Sequence, residues 1–189
     1  MPYQIDVWTD GACRGNGEPG AVAGAGAWFS RPMQGSTGWS RPLPQDPVPT
    51  NQRAELAGVV LALELAVQRR EQLDFDPFFI LTIHTDSRYA IGCLRDWIEK
   101  WKYNGWYNAR GLPVANRDLI EEASDMIDGI KNGGRVDFVW VRREQNVEAD
   151  RLANEACDKA EQDLRESRIE YHTGYARVVL TDSDSDSDW

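Results

Sequence analysis

From Ile5 to Thr9 an apolar-rich alternation predicts a strand, ending in Asp10 and a loop that holds Gly11, Gly15 and Gly17. Small and large apolar residues alternate again from Ala21 to Ser30. Thr37 to Arg41 supplies a third strand, so this part of the chain reads as an antiparallel meander. Pro32, Gly35, Pro42, Pro44, Pro47 and Pro49 mark the loops. At Thr50 the period changes: Leu56, Val59, Val60, Leu63 and Val67 recur at helical spacing, predicting an amphipathic helix capped by Thr50 or Asn51. Phe78 to Thr85 is too apolar and β-branched for a one-sided strand and reads as a central, buried one that ends in Asp86. Helical segments follow at Tyr89–Cys93 and Arg95–Tyr103, then at Leu119–Ile130, led in by Asn116 and ended by Gly133 and Gly134. Val136 to Val141 is a further strand. Asn146 caps a long last helix whose Ala149, Leu152, Ala153 and Ala156 face inward. The sum is an α/β chain, a mixed sheet flanked by helices.

Four acids fall at element ends or first turns, and each alone has an ordinary explanation. Asp10 with Gly11 makes a turn signal. Asp150, in the first turn of the last helix, favours the helix dipole by a few tenths of a kcal/mol to about 1. Glu55 is harder to dismiss. The position three places after the cap, where a capping-box acid belongs, holds Arg53 or Ala54. Glu55 instead shares a flank with Val59, Ala62 and Ala66, and an inward-facing acid needs a partner, of which a metal ion is one. His84, inside a strand, reads as a satisfied structural histidine.

Composition narrows the setting. The 189 residues suit one globular domain, with no uncharged apolar run long enough to span a bilayer and no secretory signal at the amino terminus. Cys13, Cys93 and Cys157 lack metal-ligand or redox spacing. A soluble intracellular protein is expected, cytoplasmic, or nuclear in a eukaryote. The net charge of -10 is unevenly spread: Arg88, Arg95, Lys100, Lys102, Arg110 and Arg117 face only Asp96 and Glu99 between Ser87 and Arg117. A basic segment in an acidic chain is a candidate footprint for a polyanion. Trp97 and Trp101, four residues apart within it, suit either core packing or stacking on sugars and bases beside phosphates. The tail from Thr181, TDSDSDSDW, is expected to be disordered, and Tyr171–Leu180 to be either an extra strand or a loose trailing segment.

Taken together, the stretches TDGACRGNG (Thr9–Gly17), TNQRAEL (Thr50–Leu56), TDSRYAI (Thr85–Ile91), WIEKWKYNGW (Trp97–Trp106) and NVEADRLANEA (Asn146–Ala156) resemble the ribonuclease H family of type 1. The resemblance implies an RNase H-like fold with a five-stranded mixed sheet, over a catalytic domain spanning residues 1–170, with 171–189 as an extension. It implies that Asp10, Glu55, Asp86 and Asp150 are the catalytic, metal-binding carboxylates. They would hold two ions of Mg²⁺ or Mn²⁺ and hydrolyse the RNA strand of RNA/DNA hybrids to 5′-phosphate and 3′-hydroxyl ends. Hard cations take oxygen ligands, which is why carboxylates suit them.

By the same resemblance Asn16, Asn51 and Gln52 would contact the hybrid's minor groove. Tyr89, Trp97 and Trp101 would line the channel for the DNA strand, and Thr50 and Asn116 would belong to a DNA phosphate pocket. A monomer is expected. Two departures stand out. Val48 occupies the place of the pocket's usual arginine, and the loop from Trp140 through VRREQN to Asp150 is short and lacks the family's usual histidine. Arg143 or Glu144 is a candidate substitute. Two alternatives stay open: a catalytically weak hybrid-binding module of the same fold, and a nuclease domain that works attached to a polymerase.

Overall fold

The computed structural model describes residues 2–30 and 37–182, with side chains as far as residue 169. Strands β1 (Tyr3–Arg14), β2 (Val22–Ser30) and β3 (Thr37–Pro42) form the expected meander, each antiparallel to the next. Pro32 and Gly35, read as loop residues, and the acidic tail beyond residue 182 lie outside the described residues. Helix α1 (Asn51–Glu71) crosses over to β4 (Phe79–Thr85), which pairs parallel to β1, and β5 (Gly134–Trp140) pairs parallel to β4. The five strands stand in the order β3-β2-β1-β4-β5.

Helices cover the two faces unequally. Beneath one lie α1 and α4 (Arg117–Lys131), whose Leu56, Leu63, Ile120 and Ile130 bury against Val7, Phe79, Leu81 and Ile83. On the other, α5 (Val147–Asp182) packs on β1, β2 and β3. Beta-strand 4 is central as expected but not buried on both sides. Phe79, Leu81, Ile83 and Thr85 are buried, whereas Ile80, Thr82 and His84 are half-buried, because α5 lies over β1 to β3. His84 is satisfied there, with Nε2 3.0 Å from Asp6 Oδ1 and its ring stacked on Trp8.

Three local expectations are corrected. The segments after β4 are one continuous helical stretch: α2 (Arg88–Ile91), a π-helical turn (Gly92–Trp97) and α3 (Ile98–Tyr103). Asn146 does not cap α5 with its side chain, which points across to the sheet. The chain from Tyr171 to Leu180 neither adds a strand nor trails; its backbone continues α5.

Candidate active site

Backbone packing brings the four acids together. Asp10 is not at the end of β1, because pairing with β2 continues to Arg14. It is, however, the first residue past the β1–β4 pairing, which stops at Thr9 and Thr85, so Asp10 and Asp86 leave two adjacent parallel strands at the same level. Gly11 lies directly on the α1 backbone at Ala54 and Glu55, where a Cβ would collide. Gly58, one turn on, meets the Asp10 carbonyl, so α1 is pressed against β1 where Glu55 starts to project. Asp10 pairs with Gly26 of β2, which touches the Ala149 carbonyl and so seats the first turn of α5 with Asp150.

The side chains have distinct partners. Asp10 is 8% exposed and accepts the Gly11 N–H at 2.8 Å. Glu55 accepts from Ser87 Oγ at 2.6 Å and from Asn51 Nδ2 at 2.9 Å. Asp86 Oδ1 accepts from Asn146 Nδ2 at 3.0 Å, and the same NH₂ donates to the Thr9 carbonyl. Asp150 accepts from Arg143 Nη2 at 2.6 Å and from Asn154 Nδ2 at 3.3 Å. Trp140 Nε1 donates to the Asp86 carbonyl.

These placements strain the acids electrostatically. Burial pushes the Asp10 carboxyl up to about 7, helped by the charges of Asp86 and Asp150 and opposed by the Gly11 N–H and Arg143. Glu55 is also raised, first by burial and then by Asp86, while its bonds from Ser87 and Asn51 pull the other way. A buried carboxylate facing two others is stabilised by a hard cation. Two buried oxygens of this region, Thr9 Oγ1 and Asn146 Oδ1, have no hydrogen-bond partner. The donor set therefore fits Mg²⁺ or Mn²⁺ in its chemistry. Among the described residues no three such side chains are arranged to hold an ion as they stand. Glu55, Asp86 and Asp150 are turned toward Ser87, Asn146 and Arg143.

The predicted substrate residues fall into three connected sets. Asn16 Oδ1 accepts the Asn51 N–H at 2.8 Å, which ties the glycine loop to the start of α1, and Gln52 is exposed beside them. Thr50 caps α1 through the Arg53 N–H. The Arg53 guanidinium is 8% exposed as a residue; it binds Asp118 and reaches Asn116, whose Nδ2 donates to the Tyr89 hydroxyl at 3.1 Å. Val48, where a pocket arginine was absent from the sequence, is exposed. Trp97 and Trp101 touch with ring centroids 5.6 Å apart; Trp97 is 42% exposed while Trp106 beyond them is buried. Core packing and an open aromatic face are thus both present in one stack.

Sequence reasoning missed Ser87, Asn146 and Arg53. Ser87 had a signal: a serine beginning a helix, and it does cap α2 at Ala90. Asn146 and Arg53 had none, because their partners lie far away in sequence.

A five-stranded mixed sheet in this order, with helices on both faces, is the RNase H-like fold. Solved structures align with it, among them the following two. RNase H1 from the halophilic archaeon Halobacterium salinarum gives a TM-score of 0.55 at 26% identity, covering 84% of this chain and 100% of that one. LC9-RNase H1, described as a type 1 RNase H with the type 2 active-site motif, gives 0.61 at 27% identity, covering 83% and 73%. The sequence is more specific still, for the RNase H family profile matches residues 2–162. Among curated relatives, ribonuclease H of Aromatoleum aromaticum is 35% identical over 162 residues, 84% of this chain and 93% of the relative. Ribonuclease HI of Caulobacter vibrioides is 32% identical over 164 residues, 85% and 97%. The chain belongs to the ribonuclease H family and is an enzyme of that family. No helix among the described residues is long and apolar enough to cross a membrane.

Proposed function

We propose that this enzyme is an endonuclease that hydrolyses the RNA strand of RNA/DNA hybrids with two divalent ions, leaving 5′-phosphate and 3′-hydroxyl ends. The observation that carries the proposal is the burial of Asp10 against Asp86 and Asp150, which raises its carboxyl to about 7 in a chain of this family. Such a cluster costs stability and gains a binder of polyanions nothing. It suits a protein that needs cations at a phosphodiester.

Asp10, Glu55, Asp86 and Asp150 would hold the ions. Bound Mg²⁺ or Mn²⁺ supplies an activated water and charge relief on the leaving oxygen. The protein's own part is orientation. Ser87 and Asn51 aim Glu55, and Asn146 ties Asp86 to β1. Arg143 serves as an internal counter-ion to Asp150, which must yield when a cation takes its place. Asn16, Asn51 and Gln52 would read the minor groove, where 2′-hydroxyls mark the RNA strand. Tyr89, Trp97 and Trp101 would carry the DNA strand. Thr50 and Asn116 would take a DNA phosphate, with Arg53 as the nearest cation in the absence of an arginine at Val48.

Labelled RNA/DNA hybrid, RNA duplex and DNA duplex, incubated with Mg²⁺, Mn²⁺ or chelator, test this directly. Cleavage of the hybrid's RNA strand alone, dependent on metal, is expected. Cutting of all three duplexes would refute the selectivity. An Asp86→Asn variant that keeps the physiological role would favour a binding module instead.

A further inference from the structure

Away from the acids, a cleft of about 290 Å³ opens between the glycine loop and α5, lined among others by Arg14, Gly20, Leu164, Arg165 and Arg168. Arg14 is held by Asp158 at 2.7 Å and Glu161 at 3.1 Å, and Arg165 by Glu161 at 2.6 Å. Arg168 has no acidic partner among the described residues, and its guanidinium lies beside Gly20. Three guanidiniums against two carboxylates leave the cleft positive in a chain whose net charge is -10. Arg165 and Arg168 also lie beyond residue 162, where the family match ends.

The cleft is aligned with the acid cluster. Arg14 is four residues on from Asp10 in β1, hence on the same sheet face and roughly 13 Å away at ~3.3 Å per residue. Arg168 stands eighteen residues after Asp150 in α5. That is about five turns, so it lies on the same side of the helix, roughly 27 Å along the axis. Asn16, in the intervening loop, is bonded to the start of α1 beside Glu55. A polyanion strand leaving the acids past Asn16 therefore meets a row of guanidiniums, which bind phosphate in fork geometry.

We infer that the Arg14, Arg165 and Arg168 cleft is a second phosphate-binding site, which grips the backbone of the hybrid several nucleotides beyond the point of cleavage. The inference rests on the proposal that the substrate is an RNA/DNA hybrid. At about 3.4 Å per step, Arg14 lies roughly four and Arg168 roughly eight nucleotides from the acids. A hybrid of about 20 base pairs reaches all three arginines, whereas one of about 8 centred on the acids stops short of Arg165 and Arg168.

The test uses the full chain with Asp86→Asn to prevent turnover, and measures binding of both hybrids by fluorescence anisotropy over a range of salt concentrations. Adding Arg165→Gln and Arg168→Gln is expected to weaken binding of the long hybrid about tenfold. It should also flatten its plot of log affinity against log salt by about 2, near 0.9 per lost phosphate contact. Binding of the short hybrid should not change, and Lys at both positions should restore most of the slope. Both substitutions are on an exposed face of α5 and Gln is a good helix former, so the fold is retained. An unchanged slope for the long hybrid overturns this inference alone. A gain in affinity also overturns it, since the guanidiniums would then oppose the strand rather than hold it. If the Asp86→Asn parent binds neither hybrid, the substrate reading itself fails and takes this inference with it.

Discussion

Replacing Asp10 by Asn should make the metal-free protein more stable while abolishing its activity. On folding, the Asp10 carboxyl rises from 3.8 to about 7, first because it is buried and then because Asp86 and Asp150 face it. Between those two values the folded protein holds a proton that the unfolded chain has released. Stability must therefore fall as pH rises through that window. Above it the whole penalty is present: roughly three units at about 1.4 kcal/mol each, or about 4 kcal/mol. Water at the open side of the site reduces the effective cost to about 2–3 kcal/mol. Asn keeps the shape and the acceptor for the Gly11 N–H but carries no charge. Urea unfolding in chelator, followed by circular dichroism from pH 4 to pH 8.5, should show the two proteins nearly equal at the acid end. Asp10→Asn should lead by about 2–3 kcal/mol at pH 8. If the variant is no more stable at pH 8, or if the gap does not widen between pH 4 and pH 7, burial and the neighbouring acids do not penalise the Asp10 carboxylate as the structure requires.

Three further outcomes follow from the same geometry. Mg²⁺ should raise the unfolding temperature of the parent at pH 8, adding about 2.7 kcal/mol at a hundredfold excess over its dissociation constant, and should do far less for Asp10→Asn, as calorimetry can check. Gly58→Ala places a methyl against the Asp10 carbonyl and should cost about 2–3 kcal/mol in urea unfolding, with hydrolysis reduced because β1 and α1 are forced apart. Ser87→Ala removes both the cap on Ala90 and the bond that aims Glu55; about 1 kcal/mol of stability and a roughly tenfold loss in kcat with little change in KM are expected from steady-state assays.

Much of the fold could be read along the chain, because periodicity reports which face of an element is buried. All five strands and the helices α1, α4 and α5 were recognisable that way, and the residues after the cap already showed that Glu55 does not fit a capping box. What periodicity does not report is what lies opposite. The apolar run of β4 suggested cover on both faces, but α5 spans only β1 to β3 and leaves Thr82 and His84 half-buried. Asn146 had the composition of a helix cap, yet the Thr9 carbonyl and Asp86, both distant in sequence, offered its side chain buried partners. The π-helical turn between α2 and α3 was equally hidden, since a single extra residue per turn leaves the apolar pattern almost intact. The buried Arg53, tied to Asp118 and Asn116 from the first turn of α1, lay beyond any local pattern.

The parallel alignment of β1 and β4, with Thr9 level with Thr85, has a consequence for how this catalyst can be lost. Side chains on a strand alternate, so slipping β1 by one position would move its acid about 3.3 Å and swing it to the opposite side of the sheet. Substitutions deep in the Val7, Leu81 and Ile83 layer, remote from any phosphate, can therefore silence the enzyme by misaligning two neighbouring strands without touching a carboxylate.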